Sequence, residues 1–233
     1  MSGFNVELML HPSRFRSVLI GGATATAVLV TVACAAPVRD VPTSARIFSA
    51  ERPACAACHM ADGSGQPEVG IPRLAGQSAD YMAKQLDYFA DGRRGNIVMH
   101  PYAAALSDNE KQSFAKYFAA SSTSTIASPF PPTEALLARG QQLFANGDVR
   151  TGLVACAQCH GPTGLGVGDF SPRLAGQSAV YIVEQLRDWH AGAMRDPDGK
   201  YMSAIAVRLS PDDMKSVAAY IATMKTMGSN SHD

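Results

Sequence analysis

An all-α fold of two tandem helical domains is predicted by three observations. Pro72-Arg-Leu-Ala-Gly-Gln-Ser-Ala79 recurs unchanged as Pro172 to Ala179, so one unit is repeated within the 233-residue chain. Four serines stand at helix-capping positions ahead of apolar stretches, while strand signals are weak. Between the copies, Ser121 to Pro132 is dominated by Ser, Thr and Pro, the composition of an extended linker. The domains are placed at 40–122 and 133–227, with a frayed tail from Gly228.

The repeat is collinear. It continues through Tyr81/Tyr181, Gln85/Gln185, Leu86/Leu186 and Gly92/Gly192. Three extra residues around Asp196-Pro197-Asp198 then shift the register, pairing Met99 with Met202, Leu106 with Leu209 and Tyr117 with Tyr220. A unit this long is a duplicated domain, too long a period for a solenoid.

Each helix has a start signal. Ser78 and Ser178 cap helices expected to run to about Ala90 and Ala191. Ser107-Asp-Asn-Glu110 is a capping-box pattern for a helix to about Ala120. Ser210 does the same in the second half, with Pro211 suited to the first helical position. A further helix is expected over Glu134 to Ala145, with a shorter counterpart near Ser44 to Ala50. Such small domains are short of apolar core. Aromatic residues make up only 7% of the chain, so something other than side chains is expected to fill part of the interior.

The chemistry lies in Cys55-Ala-Ala-Cys58-His59 and Cys156-Ala-Gln-Cys159-His160. Each is a C-x-x-C-H run, the attachment pattern of a c-type haem. Two intervening residues let both sulfurs reach one edge of a porphyrin, and the adjacent histidine then offers an imidazole nitrogen to the iron. Two covalently bound haem c groups are therefore expected, with Cys55, Cys58, Cys156 and Cys159 as attachment points and His59 and His160 as iron ligands. A redox dithiol would sit beside a βαβ pattern, and none is visible. A shared zinc site uses short spacers, whereas these pairs begin 101 residues apart.

A second iron ligand is expected on the far side of each ring. Of ten methionines, only Met99 and Met202 correspond through the repeat. They are the candidates, expected in loops that wrap the haem. The bland alternative is that they fill core. His100 competes with Met99 in the first half, and His190 reads as a surface residue. Metal-bound histidines donate their other ring N–H to an acceptor, and the carbonyls of Pro72 and Pro172 are at a suitable distance along the chain. Arg73/Arg173 and Tyr81/Tyr181 are candidate partners for haem propionates, or they merely shape a turn.

Arg14 and Arg16 precede an apolar run from Val18 to Ala33 and the small-residue site Ala33-Cys34-Ala35, so residues 1–35 read as a signal peptide. Lipidation at Cys34 and retention as an anchor are the alternatives, and either would bring the chain to a membrane surface. Twenty basic and twenty acidic residues give zero formal charge, which argues against a nucleic-acid partner.

Together, the two C-x-x-C-H motifs, the P-R-L-A-G-Q-S-x-x-Y-x-x-x-Q-L segments and the M-x-x-x-A-x-x-L-S segments at Met99 and Met202 resemble the cytochrome c4 family. The resemblance covers about residues 45 to 226. It implies two class I cytochrome c folds related by a pseudo-twofold axis, His/Met ligation and a periplasmic location. The implied function is electron carriage between respiratory donors and a terminal oxidase or other acceptor, not enzymatic catalysis. Implied partners are a cytochrome oxidase, a quinol-cytochrome c reductase or a dehydrogenase. The rival readings are an electron-transfer subunit docked on a dehydrogenase, and a haem peroxidase or sulfur oxidoreductase. One departure stands out: Met99 is followed by His100-Pro101-Tyr102, and Met202 by Ser203-Ala204-Ile205, so proline and bulk could alter the first site.

Overall fold

The capping residues place the helices of the computed structural model, which describes residues 55–122, 132–168, 170–193 and 199–226. In the first half, α1 is Cys55–His59, α2 Ala79–Ala90, α3 Met99–Ala104 and α4 Asp108–Ala120. The second half adds α5 Glu134–Asn146, α6 Ala157–His160, α7 Ala179–His190, α8 Gly199–Ala206 and α9 Pro211–Thr223. Among the described residues there is no strand, only three isolated bridges. None of the described helices is long and apolar enough to cross a membrane. The signal segment, the short helix near Ser44, most of the linker and the three-residue insertion lie outside the described residues.

The expected caps are formed. Ser78 Oγ accepts from Tyr81 N at 3.3 Å and Ser178 Oγ from Tyr181 N at 3.2 Å. At α4 the reciprocal box is complete: Ser107 Oγ accepts from Glu110 N, and Glu110 Oε2 accepts from Ser107 N at 2.9 Å. Thr133 caps α5 and Ser210 caps α9. Each cap satisfies an otherwise orphaned N–H and stabilises its helix by about 1 kcal/mol.

Met99 and Met202 are not in loops. Met99 opens α3, and Met202 lies inside α8. Asn96 Oδ1 accepts from the backbone N–H groups of Val98 and Met99, at 3.0 and 2.8 Å, which starts the helical turn. Pro101 does not oppose this, because it falls in the first turn, where its missing N–H would have had no partner.

In the second half, α9 packs against α5 and α7 around Leu143, Phe144, Leu186, Val217 and Ile221. The α5–α9 crossing is tight at Gly140, where an added Cβ would lie 2.0 Å from the Ser216 carbonyl oxygen. In the first half, α2 packs on α3 and α4, with Met82, Ala83, Ala115 and Phe118 buried between them. Lys111 Nζ on α4 reaches Asp87 on α2 at 2.8 Å.

Arg139 on α5 ties the second half together from outside. Its guanidinium donates to Asp213 on α9 at 2.8 Å and to Asp148 at 3.0 Å. The Asp148 side chain is buried, and Arg150 donates to it as well. These guanidiniums, Arg150 foremost, hold the Asp148 carboxyl well below the usual carboxylate range. A carboxylate with a depressed folded-state pKa contributes stability that is fully present above the unfolded value of about 4 and is lost as pH falls toward the folded one. Asp148→Asn is therefore expected to lower the melting temperature at pH 7, and less so near pH 2. Equal losses at both pH values, read by thermal melts, would show that the charge contributes nothing.

The described residues of the two halves belong to one compact body. They meet through an exchange that follows the repeat. Gln177 Oε1 accepts from Arg73 N at 2.8 Å, and Gln177 Nε2 donates to Arg73 O at 2.9 Å. Reciprocally, Gln77 Oε1 accepts from Arg173 N at 3.0 Å, and Gln77 Nε2 donates to Arg173 O at 3.0 Å. Around it lies a cavity of about 30 Å³, lined by both arginines and both glutamines.

Two further contacts break the symmetry. Between the histidine and Pro72 the first half has one more residue than the second, and there Pro67–Val69 forms a 3-10 turn that packs against α7. Ser178 Oγ donates to Pro67 O at 2.8 Å. Arg94, buried, donates to Gln85 within its own half and to Tyr181 and Gln185 across the interface, at 2.6, 2.7 and 2.8 Å.

Candidate haem sites

Each C-x-x-C-H run coils into one short helical turn, α1 or α6, which turns its first cysteine and its histidine inward. Cys55 and Cys156 are half-buried against the two cores, while Cys58 and Cys159 are exposed. None of the four is joined in a disulfide, so each sulfur is available to a haem vinyl group. Before haem attachment, burial pushes the Cys156 thiol up to about 11 and raises Cys55 in the same direction.

His59 and His160 are both buried at 8% exposure, and their surroundings repeat. His59 Nδ1 lies 2.9 Å from Pro72 O, and His160 Nδ1 lies 3.0 Å from Pro172 O. A carbonyl only accepts, so Nδ1 must carry the proton in each ring. Nε2 is then left with its lone pair, the form that binds a metal. Burial holds both imidazoles below their ordinary pKa, which favours this neutral state.

The loop after each histidine is shaped to present that proline. Gly65 N donates to His59 O at 3.0 Å, and Gly166 N donates to His160 O at 2.9 Å. Both glycines have positive φ, +75° and +80°, and a Cβ on either would lie 2.5 Å from a carbonyl oxygen just before the proline. A side chain there would displace the very segment that holds the imidazole.

Met202 is half-buried and packs against the same core as Cys156. Met99 is half-buried at the start of α3. His100 is exposed, with Nδ1 hydrogen bonded to Phe89 O at 2.7 Å on the neighbouring helix. His190 is exposed as expected and bonds Ala206 O at 3.0 Å. Tyr181 OH accepts from Arg94, and the main chain of Arg73 and Arg173 is engaged by the glutamines. Among the described residues, no three His, Cys, Asp or Glu side chains gather closely enough to hold a metal ion.

The residues present fit a covalently attached haem in each half. Each site has one sulfur against the core, one at the surface and a buried neutral imidazole with Nδ1–H engaged. The chain matches the cytochrome c family over residues 44–121 and 137–225. It aligns with reduced recombinant cytochrome c4 from Pseudomonas stutzeri at TM-score 0.65 and 33% identity, covering 73% of this chain and 93% of that one. The chain belongs to the cytochrome c4 family. A thiosulfate dehydrogenase electron acceptor from Thiomonas intermedia is 41% identical to this cytochrome over 78% of its chain and 83% of the relative. Thiosulfate dehydrogenase TsdBA from Marichromatium purpuratum matches at TM-score 0.72 and 34% identity, over 82% of this chain and 41% of that longer one. The cytochrome is thus a dihaem electron-transfer protein with two covalently bound haem c groups, an electron carrier and not an enzyme.

Sequence reasoning did not find Gln77, Gln177 or Arg94. The glutamines lie in the segment that is unchanged between the halves, which was the available signal. Arg94 left none, because its nearest counterpart through the repeat is Met194.

Proposed function

We propose that this cytochrome accepts electrons from a thiosulfate dehydrogenase in the periplasm and passes them to a terminal oxidase or another acceptor. Its domains span 40–122 and 133–227. Cys55 and Cys58 hold one haem, and Cys156 and Cys159 the other. His59 with Met99, and His160 with Met202, would hold the two irons. The observation that carries the ligand assignment is the twice-built histidine, buried, neutral and protonated on Nδ1 by its proline carbonyl. The donor is inferred from the similarity to a thiosulfate dehydrogenase electron acceptor and to TsdBA.

Bound haem supplies a one-electron ferrous/ferric couple. The protein's residues set its value and protect it. The proline carbonyls orient each imidazole and raise its basicity. A methionine thioether on the other side favours the ferrous state and raises the potential. His100 is exposed whereas Met99 is half-buried, which favours the methionine. With a histidine and a methionine on each iron, neither site would offer an open coordination position to a substrate.

The test uses the purified dihaem protein. Wild type should bind no carbon monoxide in the ferrous form and should be reduced by thiosulfate together with a thiosulfate dehydrogenase. Met99→Ala and Met202→Ala should each open one of the two sites to carbon monoxide. An unchanged spectrum in either variant would show that methionine not to be a ligand. No reduction of wild type by the dehydrogenase system would remove that donor.

A further inference from the structure

Each glutamine of the interdomain exchange acts on the peptide group that anchors the other half's histidine. The carbonyl of Pro72 accepts from His59 Nδ1 at 2.9 Å. The N–H of that same peptide group belongs to Arg73, and it donates to Gln177 Oε1 at 2.8 Å. In the second half, the Pro172 carbonyl accepts from His160 Nδ1 at 3.0 Å, and the Arg173 N–H donates to Gln77 Oε1 at 3.0 Å. One amide therefore stands between each histidine and a side chain of the opposite half.

We propose that Gln77 and Gln177 are positioning residues that tune each other half's haem, Gln177 through His59 and Gln77 through His160. This rests on reading His59 and His160 as the iron ligands.

Amide hydrogen bonds are cooperative. When the N–H of a peptide group donates, electron density moves toward its oxygen, and that oxygen becomes a better acceptor. Gln177 thus strengthens the bond from His59 to Pro72, and Gln77 does the same for His160 and Pro172. A stronger Nδ1–H···O bond gives the imidazole more imidazolate character, which favours ferric iron and lowers the potential.

The geometry keeps this link stiff. Arg73, Gln77 and Gln177 are all buried, at 8%, 9% and 7% exposure, so water does not replace the bonds. Each glutamine is fixed at both ends of its amide, because Nε2 donates to the carbonyl of the very arginine whose N–H it accepts. Each Oε1 also accepts from the N–H of the following serine at 2.9 Å, which anchors it to the start of α2 or α7.

The influence also runs backward. With haem bound, the Nδ1–H of a histidine on ferric iron would donate more strongly to the proline carbonyl, which in turn would polarise the arginine N–H. Oxidation of either site thereby tightens the bond across the interface.

The test replaces each glutamine by methionine, which keeps length and removes the acceptor, in the intact dihaem protein. Two readouts are followed: the Nδ1–H proton resonances of His59 and His160 in the ferrous protein, and a redox titration. Gln177→Met should move the His59 resonance to higher field, leave His160 in place and raise the potential of the first site. A change of about threefold in its ferric-to-ferrous ratio at a fixed applied potential is expected. Gln77→Met should do the same to His160 and the second site only. A purely structural role would shift both resonances together, or those of the mutated half, and either pattern would overturn the proposal. If a methionine variant loses a haem, Gln177→Glu and Gln77→Glu retain an acceptor oxygen. They should leave the crossed resonance at or to lower field of its wild-type position, and a shift to higher field would equally overturn the proposal. Absence of porphyrin ring-current shifts on His59 or His160 in wild type would instead sink the ligand assignment itself.

Discussion

Gly140→Ala is expected to destabilise the second half by about 3 kcal/mol, although alanine is the better helix former. In an open helix this substitution gains about 1 kcal/mol. Here the new Cβ would sit 2.0 Å from the Ser216 carbonyl oxygen and 2.7 Å from Tyr220 Cβ. The obstacle is backbone on a facing helix, so relief requires α5 and α9 to separate. That would loosen the packing of Leu143 and Phe144, which are 0% and 1% exposed. A domain of this size loses roughly 4–8 °C of melting temperature per kcal/mol, so a drop of about 12–24 °C is expected. Calorimetry on the intact protein reads it. A melting temperature at or above wild type would mean the helices do not approach this closely.

Gly166→Ala is expected to damage the second haem site specifically. At φ +80°, a residue with a side chain costs about 1–2 kcal/mol from the backbone alone. The Cβ would also meet Ser171 O at 2.5 Å and the Pro172 carbonyl carbon at 3.0 Å. The segment must then move, and the Pro172 carbonyl moves away from His160. The expected result is a raised potential and weaker haem retention in the second half, with the first half unchanged. Gly168→Ala is the control, because Gly168 shares a positive φ of +61° but has nothing within 4 Å of an added Cβ. Equal effects of the two substitutions in redox titrations and melts would show that backbone strain alone matters.

The sequence was most legible where structure is local. Ser78, Ser107, Ser178 and Ser210 mark their helices because a hydroxyl and an N–H three residues on are enough to make a cap. The proline carbonyls were legible because the distance from His59 to Pro72 suits one tight loop. The helical setting of Met99 and Met202 was not, because α3 has six residues and depends on Asn96 folding back onto Val98 and Met99. Proline after His100 suggests a break unless the helix is already known to start at Met99.

The interface was the least legible part. Within one half, Arg73 and Gln77 read as a turn leading into a capped helix, and they do serve that purpose. Their second use depends on another copy arriving in the right orientation, which no local spacing encodes. The one-residue difference before Pro72 was visible in the sequence, but its consequence, a 3-10 turn resting on α7, needed the partner helix to be in place.

The glutamine exchange is an isologous contact of the kind that two identical subunits make about a twofold axis: Gln77 meets Arg173 as Gln177 meets Arg73. Such a contact between separate monohaem subunits would depend on their concentration. Joined in one chain, the halves face each other at an effective concentration in about the millimolar range, and four hydrogen bonds with two asymmetric contacts suffice to hold them. Covalent union also frees the copies to diverge. Arg94, placed on one side alone, gives the pair a direction that no symmetric dimer of identical chains could have.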